Sequence, residues 1–168
     1  NSDISTTAAI SIIGATIVLV DILESDYTMD CSQVASAVTE RTKVILPVDL
    51  YGHPSDCIAL RKIADERGLK IVEDAALAIG ARYANHRVGF YSDLTIISLA
   101  ASKPLPSSGN AGMVVTDNSE LAEKVSLYRG YGKEFDSNRN PPLSDEHVVE
   151  GFNLPMDPLQ AVVVHAKL

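Results

Sequence analysis

Long apolar runs, basic clusters and paired cysteines are all scarce in this chain, and each scarcity closes off a class of function. The longest apolar stretch, Ala8 to Val20, is interrupted by Ser11, Gly14 and Thr16. It is shorter than the roughly 20 residues that span a bilayer, and no basic segment precedes it, as a secretory signal requires. Lys and Arg total 14 against 22 Asp and Glu, a net charge of -8, with no basic run. Contact with a phosphate backbone needs clustered Lys and Arg, so nucleic-acid binding is disfavoured; the acidic balance serves solubility. Cys31 and Cys57 are the only cysteines and form no CxxC motif, which fits two reduced structural thiols in a cytoplasmic protein. His53, His86, His147 and His165 are far apart and lack metal-ligand spacing. Glu73-Asp74 has no neighbouring acids with which to share a divalent ion.

What remains is a globular chain of 168 residues, 46% hydrophobic, enough for one ordinary core. Helical signals cover Thr6 to Ile13, closed by Gly14, and Cys31 to about Glu40, where Asp30 and Gln33 have capping-box spacing. Ile58, Leu60, Ile63 and Ala64 give a helical stripe within Asp56 to Arg67, closed by Gly68. Asp117 and Glu120 place another helix up to about Arg129, and Asp157-Pro158 opens a last one within Met156 to Leu168. Strand patterns fall at Thr16–Ile22, Lys43–Leu50, through Ile71-Val72, at Leu94–Ser98 and at Gly112–Thr116. Gly52-His53-Pro54-Ser55 reads as a turn, a loop holds Gly80 and Gly89, and Lys133 to Pro142 reads as an exposed loop. Strands alternating with helices predict an α/β fold with a mostly parallel sheet in a three-layer α/β/α arrangement. Gly109-Asn110-Ala111-Gly112 precedes a strand and so is neither a dinucleotide fingerprint nor a P-loop. Tyr128, Tyr131 and Phe135 near Arg129 could mark a binding surface, although helix packing explains Tyr128 equally well.

Two strands end in chemistry. Lys70-Ile71-Val72-Glu73 runs into Asp74, and Leu94 to Ser98 is followed by Lys103. Buried parallel strands deliver such groups to the carboxyl edge of a sheet. A carboxylate and an amine there are what pyridoxal phosphate (PLP) needs: the lysine holds its aldehyde and the acid pairs with the pyridinium nitrogen.

The surrounding strings resemble the DegT/DnrJ/EryC1/StrS family of sugar aminotransferases, within the aspartate-aminotransferase-like fold type I of PLP enzymes. Thr7-Ala8-Ala9-Ile10, Gly14-Ala15 and Val18 to Ile22 look like the family's early helix and strand. Leu46 to Gly52 is similar to its PVHLYG segment and Val72 to Ala76 to its EDAAQ segment. Arg87-Val88-Gly89 and Ser92-Asp93 precede the lysine strand as they do in the family, and Ser98 with Lys103 fits its S-x-x-x-x-K. Gly109 to Thr116 resembles GDGGxVVT, and Gly151-Phe152-Asn153 with Leu159-Gln160-Ala161 resembles GxN-x-R…LQA.

The resemblance implies roles. Lys103 is the expected catalytic residue, covalently holding the cofactor and moving the donor's proton. Asp74 is expected at the ring nitrogen and Ser98 at the phosphate, with Asn153 approaching the phosphate of the neighbouring subunit in a homodimer. The implied reaction transfers an amino group from a donor such as glutamate to a nucleotide-linked keto sugar, for polysaccharide or antibiotic sugars. Lysine at position 103 favours transamination over sugar dehydration. The implied domain is residues 1–168 as the central part of a large PLP-binding domain, without the upstream phosphate-binding turn or the C-terminal small domain.

Some positions depart from the pattern. Leu77 stands where the family has Gln, Ala100-Ala101 where His-Pro or similar pairs are common, Pro155 where it has Arg, and Asn110-Ala111 within the Gly-rich segment. Two further readings stay open: a non-catalytic binding module that keeps the fold, and a PLP-dependent dehydratase or lyase.

Overall fold

The computed structural model describes residues 2–135 and 143–168. Helix α1 (Ile4–Ile12) starts where the Asp3 carboxylate accepts the Ser5 amide, and it buries none of its residues. Helix α2 (Cys31–Ala37) is capped by Asp30, one oxygen accepting from the Ser32 amide and the other from Gln33 Nε2 at 2.7 Å. The Asp30/Gln33 spacing thus works through a side-chain pair, and the helix stops about one turn before Glu40. After strand β1 (Val44–Ile45), helix α3 (Cys57–Arg67) runs from an Asp56 cap to Gly68. Gly68 sits at φ 65°, a left-handed geometry that glycine adopts without a Cβ penalty. Strand β2 (Lys70–Asp74) follows, then β3 (Arg82–Tyr83), β4 (His86–Arg87), β5 (Leu94–Ser98) and β6 (Gly112–Val115). Helix α4 (Ser119–Arg129), strands β7 (Lys133–Phe135) and β8 (Leu143–His147), and helix α5 (Pro158–His165) complete the order.

The central sheet has the order β1-β2-β5-β6. The first two pairings are parallel and the last is antiparallel, so the fold is α/β with a mostly parallel sheet and flanking helices. Glu73 pairs in register with Thr95, so Ile71, Glu73, Thr95 and Ile97 share one face. On that face Val34, Leu60 and Ala64 pack against Ile45 and Ile71, while Val164 packs with Ile97, Leu99 and Leu105. The other face carries Asp74, Ile96 and Ser98, and it is more open, with Ile96 38% and Val114 46% exposed.

Several expectations shift. Thr16–Ile22 forms no strand; only Ile22 bridges to Met29, and Leu19 is 81% exposed. Alternation marks a half-buried strand only where a partner supplies the ladder. The Lys43–Leu50 strand contracts to β1 plus a single parallel bridge from Val48 to Asp74. The cap of α4 is Asn118, whose side chain accepts from the Leu121 amide, rather than Asp117. The loop with Gly80 and Gly89 contains the β3–β4 hairpin. Within the expected loop at 133–142, residues 133–135 form β7, paired with β8, and 136–142 lie outside the described residues.

Candidate active site

Parallel pairing of β2 and β5 brings Asp74 level with Ile96 and sets Ser98 one repeat further along the same face. Beyond Ser98, the Lys103 amide donates to the Ala100 carbonyl at 2.9 Å, closing a tight turn. That turn returns Lys103 to a narrow cleft of about 40 Å³ that it shares with Asp3, Thr6, Asp49, Asp74 and Leu77. The expected acid and the expected amine therefore line one cleft.

Asp74 is half-buried and firmly held. Its Oδ2 accepts from the Thr6 hydroxyl at 2.8 Å and its Oδ1 from the Ala76 amide at 3.1 Å. Its backbone is pinned as well: the Asp74 amide donates to the Pro47 carbonyl, and the Asp49 amide donates to the Asp74 carbonyl at 3.0 Å. Lys103 is half-buried and makes no side-chain hydrogen bond or ion pair among the described residues. Asp3 lies close enough for the Lys103 charge to favour its ionised form, although hydrogen bonds from Ser5 do most to hold that carboxyl below its usual range.

The other expected residues are less engaged. Ser98 is half-buried and its Oγ accepts only a long 3.4 Å bond from the Ala100 amide. Asn153 is exposed on a separate segment that bridges to Gly130. Neither lines the cleft. Leu77, at the position where Gln was expected, does line it. A larger open hollow of about 370 Å³ lies at the opposite end of the sheet, beside Arg82, His86, Phe90, Thr95 and Val115, away from the acid and the amine.

A layer of buried acids lies directly beneath Asp74. Asp49 and Glu73 are each 1% exposed. Glu73 Oε2 accepts from the Gly89 amide at 2.7 Å and the Ser92 hydroxyl at 2.8 Å, with Thr95 Oγ1 at 3.4 Å, and Oε1 accepts weakly from the Cys57 thiol. Asp49 Oδ1 accepts from the Ser55 amide at 3.1 Å, whereas Oδ2 has no partner among the described residues. Burial and then the Glu73 charge push the Asp49 carboxyl up to about 8. Burial, followed by Glu73, also pushes the Cys57 thiol up, so it is a structural donor and not a nucleophile.

Thr6 and Asp3 line the cleft without being singled out by sequence patterns, and Asp49 and Glu73 fall within the Leu46–Gly52 and Val72–Ala76 strings without an assigned role. Thr6 is one of four hydroxyl residues on α1, with Ser5, Thr7 and Ser11, so nothing local distinguishes it.

An amine and an anchored carboxylate thus lie at the carboxyl edge of this sheet, as the resemblance implied. The chain belongs to the DegT/DnrJ/EryC1/StrS aminotransferase family, whose model matches residues 1–168. It is 44% identical over 165 residues to the erythromycin biosynthesis sensory transduction protein EryC1 of Saccharopolyspora erythraea, covering 98% of this chain and 43% of that one. It is 42% identical over 160 residues to the dTDP-3-amino-3,4,6-trideoxy-alpha-D-glucose transaminase of Streptomyces venezuelae, covering 95% and 40%. The structure of S. venezuelae DesV in complex with a ketimine intermediate superposes with a TM-score of 0.90 at 41% identity, covering 99% of this chain and 43% of that one. NtdA from Bacillus subtilis with bound cofactor PMP gives a TM-score of 0.88 at 36% identity, covering 98% and 36%. The chain therefore spans less than half the length of these relatives. Among the described residues no helix is long and apolar enough to cross a membrane.

Proposed function

We propose that this chain carries the cofactor-anchoring centre of a PLP-dependent aminotransferase acting on a nucleotide-linked keto sugar, with an amino acid such as glutamate as donor. The products are sugars for polysaccharides or antibiotics. The observation that carries this reading is the shared cleft of Asp74 and Lys103, together with relatives that include the S. venezuelae transaminase.

The donor set suits the cofactor. PLP, when bound, supplies an electron sink that stabilises negative charge at the donor's Cα. Asp74 keeps the ring nitrogen protonated, and Thr6 and the Ala76 amide hold both its oxygens in one orientation. Lys103 would hold the cofactor through its aldehyde and would carry the proton from the donor's Cα; it has no ion pair among the described residues, which leaves its amine available. Ser98 would donate to the phosphate. Asn153 would approach the phosphate of the neighbouring subunit in a homodimer working in the cytoplasm. Leu77 offers the ring an apolar contact where an amide was expected.

The test is glutamate-dependent amination of a panel of nucleotide-linked keto sugars, read as 2-oxoglutarate formed. The reading expects turnover with at least one sugar and none in Lys103→Ala. No 2-oxoglutarate from any sugar, or equal turnover in Lys103→Ala, contradicts it.

A further inference from the structure

We propose that Asp49 is a neutral acid that donates its proton to Glu73, and that this shared proton locks the strand ends that present Asp74. The second half rests on the site described above; the first is a property of the fold alone.

Asp49 Oδ1 is committed to the Ser55 amide, and Oδ2 is buried without a donor. The side chain that acts on it most strongly is Glu73. Two carboxylates cannot bond to each other, since both are acceptors, until one of them carries a proton. Glu73 is the better place for the charge, because its oxygens already collect the Gly89 amide, the Ser92 hydroxyl and the Cys57 thiol. The proton therefore belongs on Asp49, and a buried oxygen without a partner becomes a donor with one.

The charged and titratable groups around Asp49 are Glu73 and Asp74 from β2, with Asp3 and Lys103 lining the same cleft. The Cys57 thiol of α3 lies beyond, on Glu73 Oε1. Glu73 and Asp74 both push the Asp49 carboxyl up, so its ionisation would add a negative charge beside two other acids. The proton also has a mechanical consequence. The Asp49 amide bonds to the Asp74 carbonyl, and the Asp74 amide bonds to the Pro47 carbonyl. Repulsion between Asp49 and Glu73 would pry apart the two chain ends joined by those bonds. Asp49 is thus a positioning residue for Asp74.

A carboxyl raised in the folded state, here by burial and then by Glu73, binds a proton that the unfolded chain has already released. Its stabilisation is fully present below the ordinary Asp range near 4. It is lost as pH rises towards about 8.

The experiment compares the chain with Asp49→Asn, which keeps an acceptor for Ser55 and a donor for Glu73 but cannot ionise. Denaturation is followed from pH 5 to 8, with amide hydrogen exchange at residues 49 and 74 corrected for intrinsic pH dependence. The folding constant of the native chain is expected to fall about tenfold per pH unit relative to Asp49→Asn. Protection of both amides should fall with it, and Asp49→Asn should show neither trend. Parallel stability curves would overturn the neutral acid. Diverging curves with unchanged protection at residues 49 and 74 would overturn the positioning role. Neither readout uses cofactor, so a failure to bind PLP would count against the proposed function and leave this test intact.

Discussion

The Thr6 hydroxyl donates to Asp74 Oδ2 at 2.8 Å, across 68 residues of sequence. It joins a helix that buries none of its own residues to the strand end that carries the acid. One hydrogen bond therefore both orients the Asp74 carboxylate and tethers α1 to the sheet.

Replacing Thr6 by Val keeps the shape and removes the donor. A hydrogen bond to a charged group contributes about 1.5–3 kcal/mol when well sheltered, but this pair is only partly buried, so about 1 kcal/mol is expected. In a PLP titration that corresponds to a dissociation constant roughly fivefold higher. Thr6→Ser should restore most of the affinity. Equal affinities for Thr6→Val and the native chain would show that Asp74 is held by the Ala76 amide and the backbone alone.

Gly89 lies beside the Glu73 carboxylate at φ 94°, and a Cβ there would come 2.9 Å from Thr95 Oγ1. Gly89→Ala is strained in backbone and in space, and it displaces the amide that bonds to Glu73. A loss of more than about 1 kcal/mol in denaturant unfolding is expected. An unchanged denaturation midpoint would mean that the Glu73 layer yields easily.

Asp93 anchors the opposite end of β2. Burial alone would raise its carboxyl, but bonds from Lys70, the Ile71 amide and Arg61 outweigh this and hold it below its usual range. A lowered carboxyl contributes stability above the ordinary Asp value near 4, and that stability is lost as pH falls through the folded value. Asp93→Asn should therefore cost about 2 kcal/mol at neutral pH and flatten the acid limb of the stability curve. An acid limb identical in the two proteins would show that other carboxylates govern acid unfolding.

The strand ends were the most legible part of the sequence. Asp74 and Lys103 each follow a short β-branched run, and such runs locate buried parallel strands well. Helix boundaries were legible to within a few residues, because Asp30, Asp56 and Gly68 act through local geometry. Asn118 and Asp117 are adjacent residues with equal capping ability, so only the Asn118 bond to the Leu121 amide separates them. Thr16–Ile22 misled because alternation is a property of a segment, whereas a strand is a property of a pair. Thr6 and Asp49 were illegible for a related reason: their partners are distant in sequence, Asp74 for one and Glu73 for the other. The sequence named Ser98 and Asn153 only through resemblance, and neither lines the cleft that Asp74 shares with Lys103.

The central claim is that Asp74 and Lys103 form a working cofactor site. It is tested most directly by mixing the purified chain with PLP, reducing with borohydride and locating the adduct by peptide mass. The account predicts a saturable adduct confined to Lys103, absent in Lys103→Ala and weakened in Asp74→Ala. No adduct, or labelling scattered over surface lysines, would contradict it.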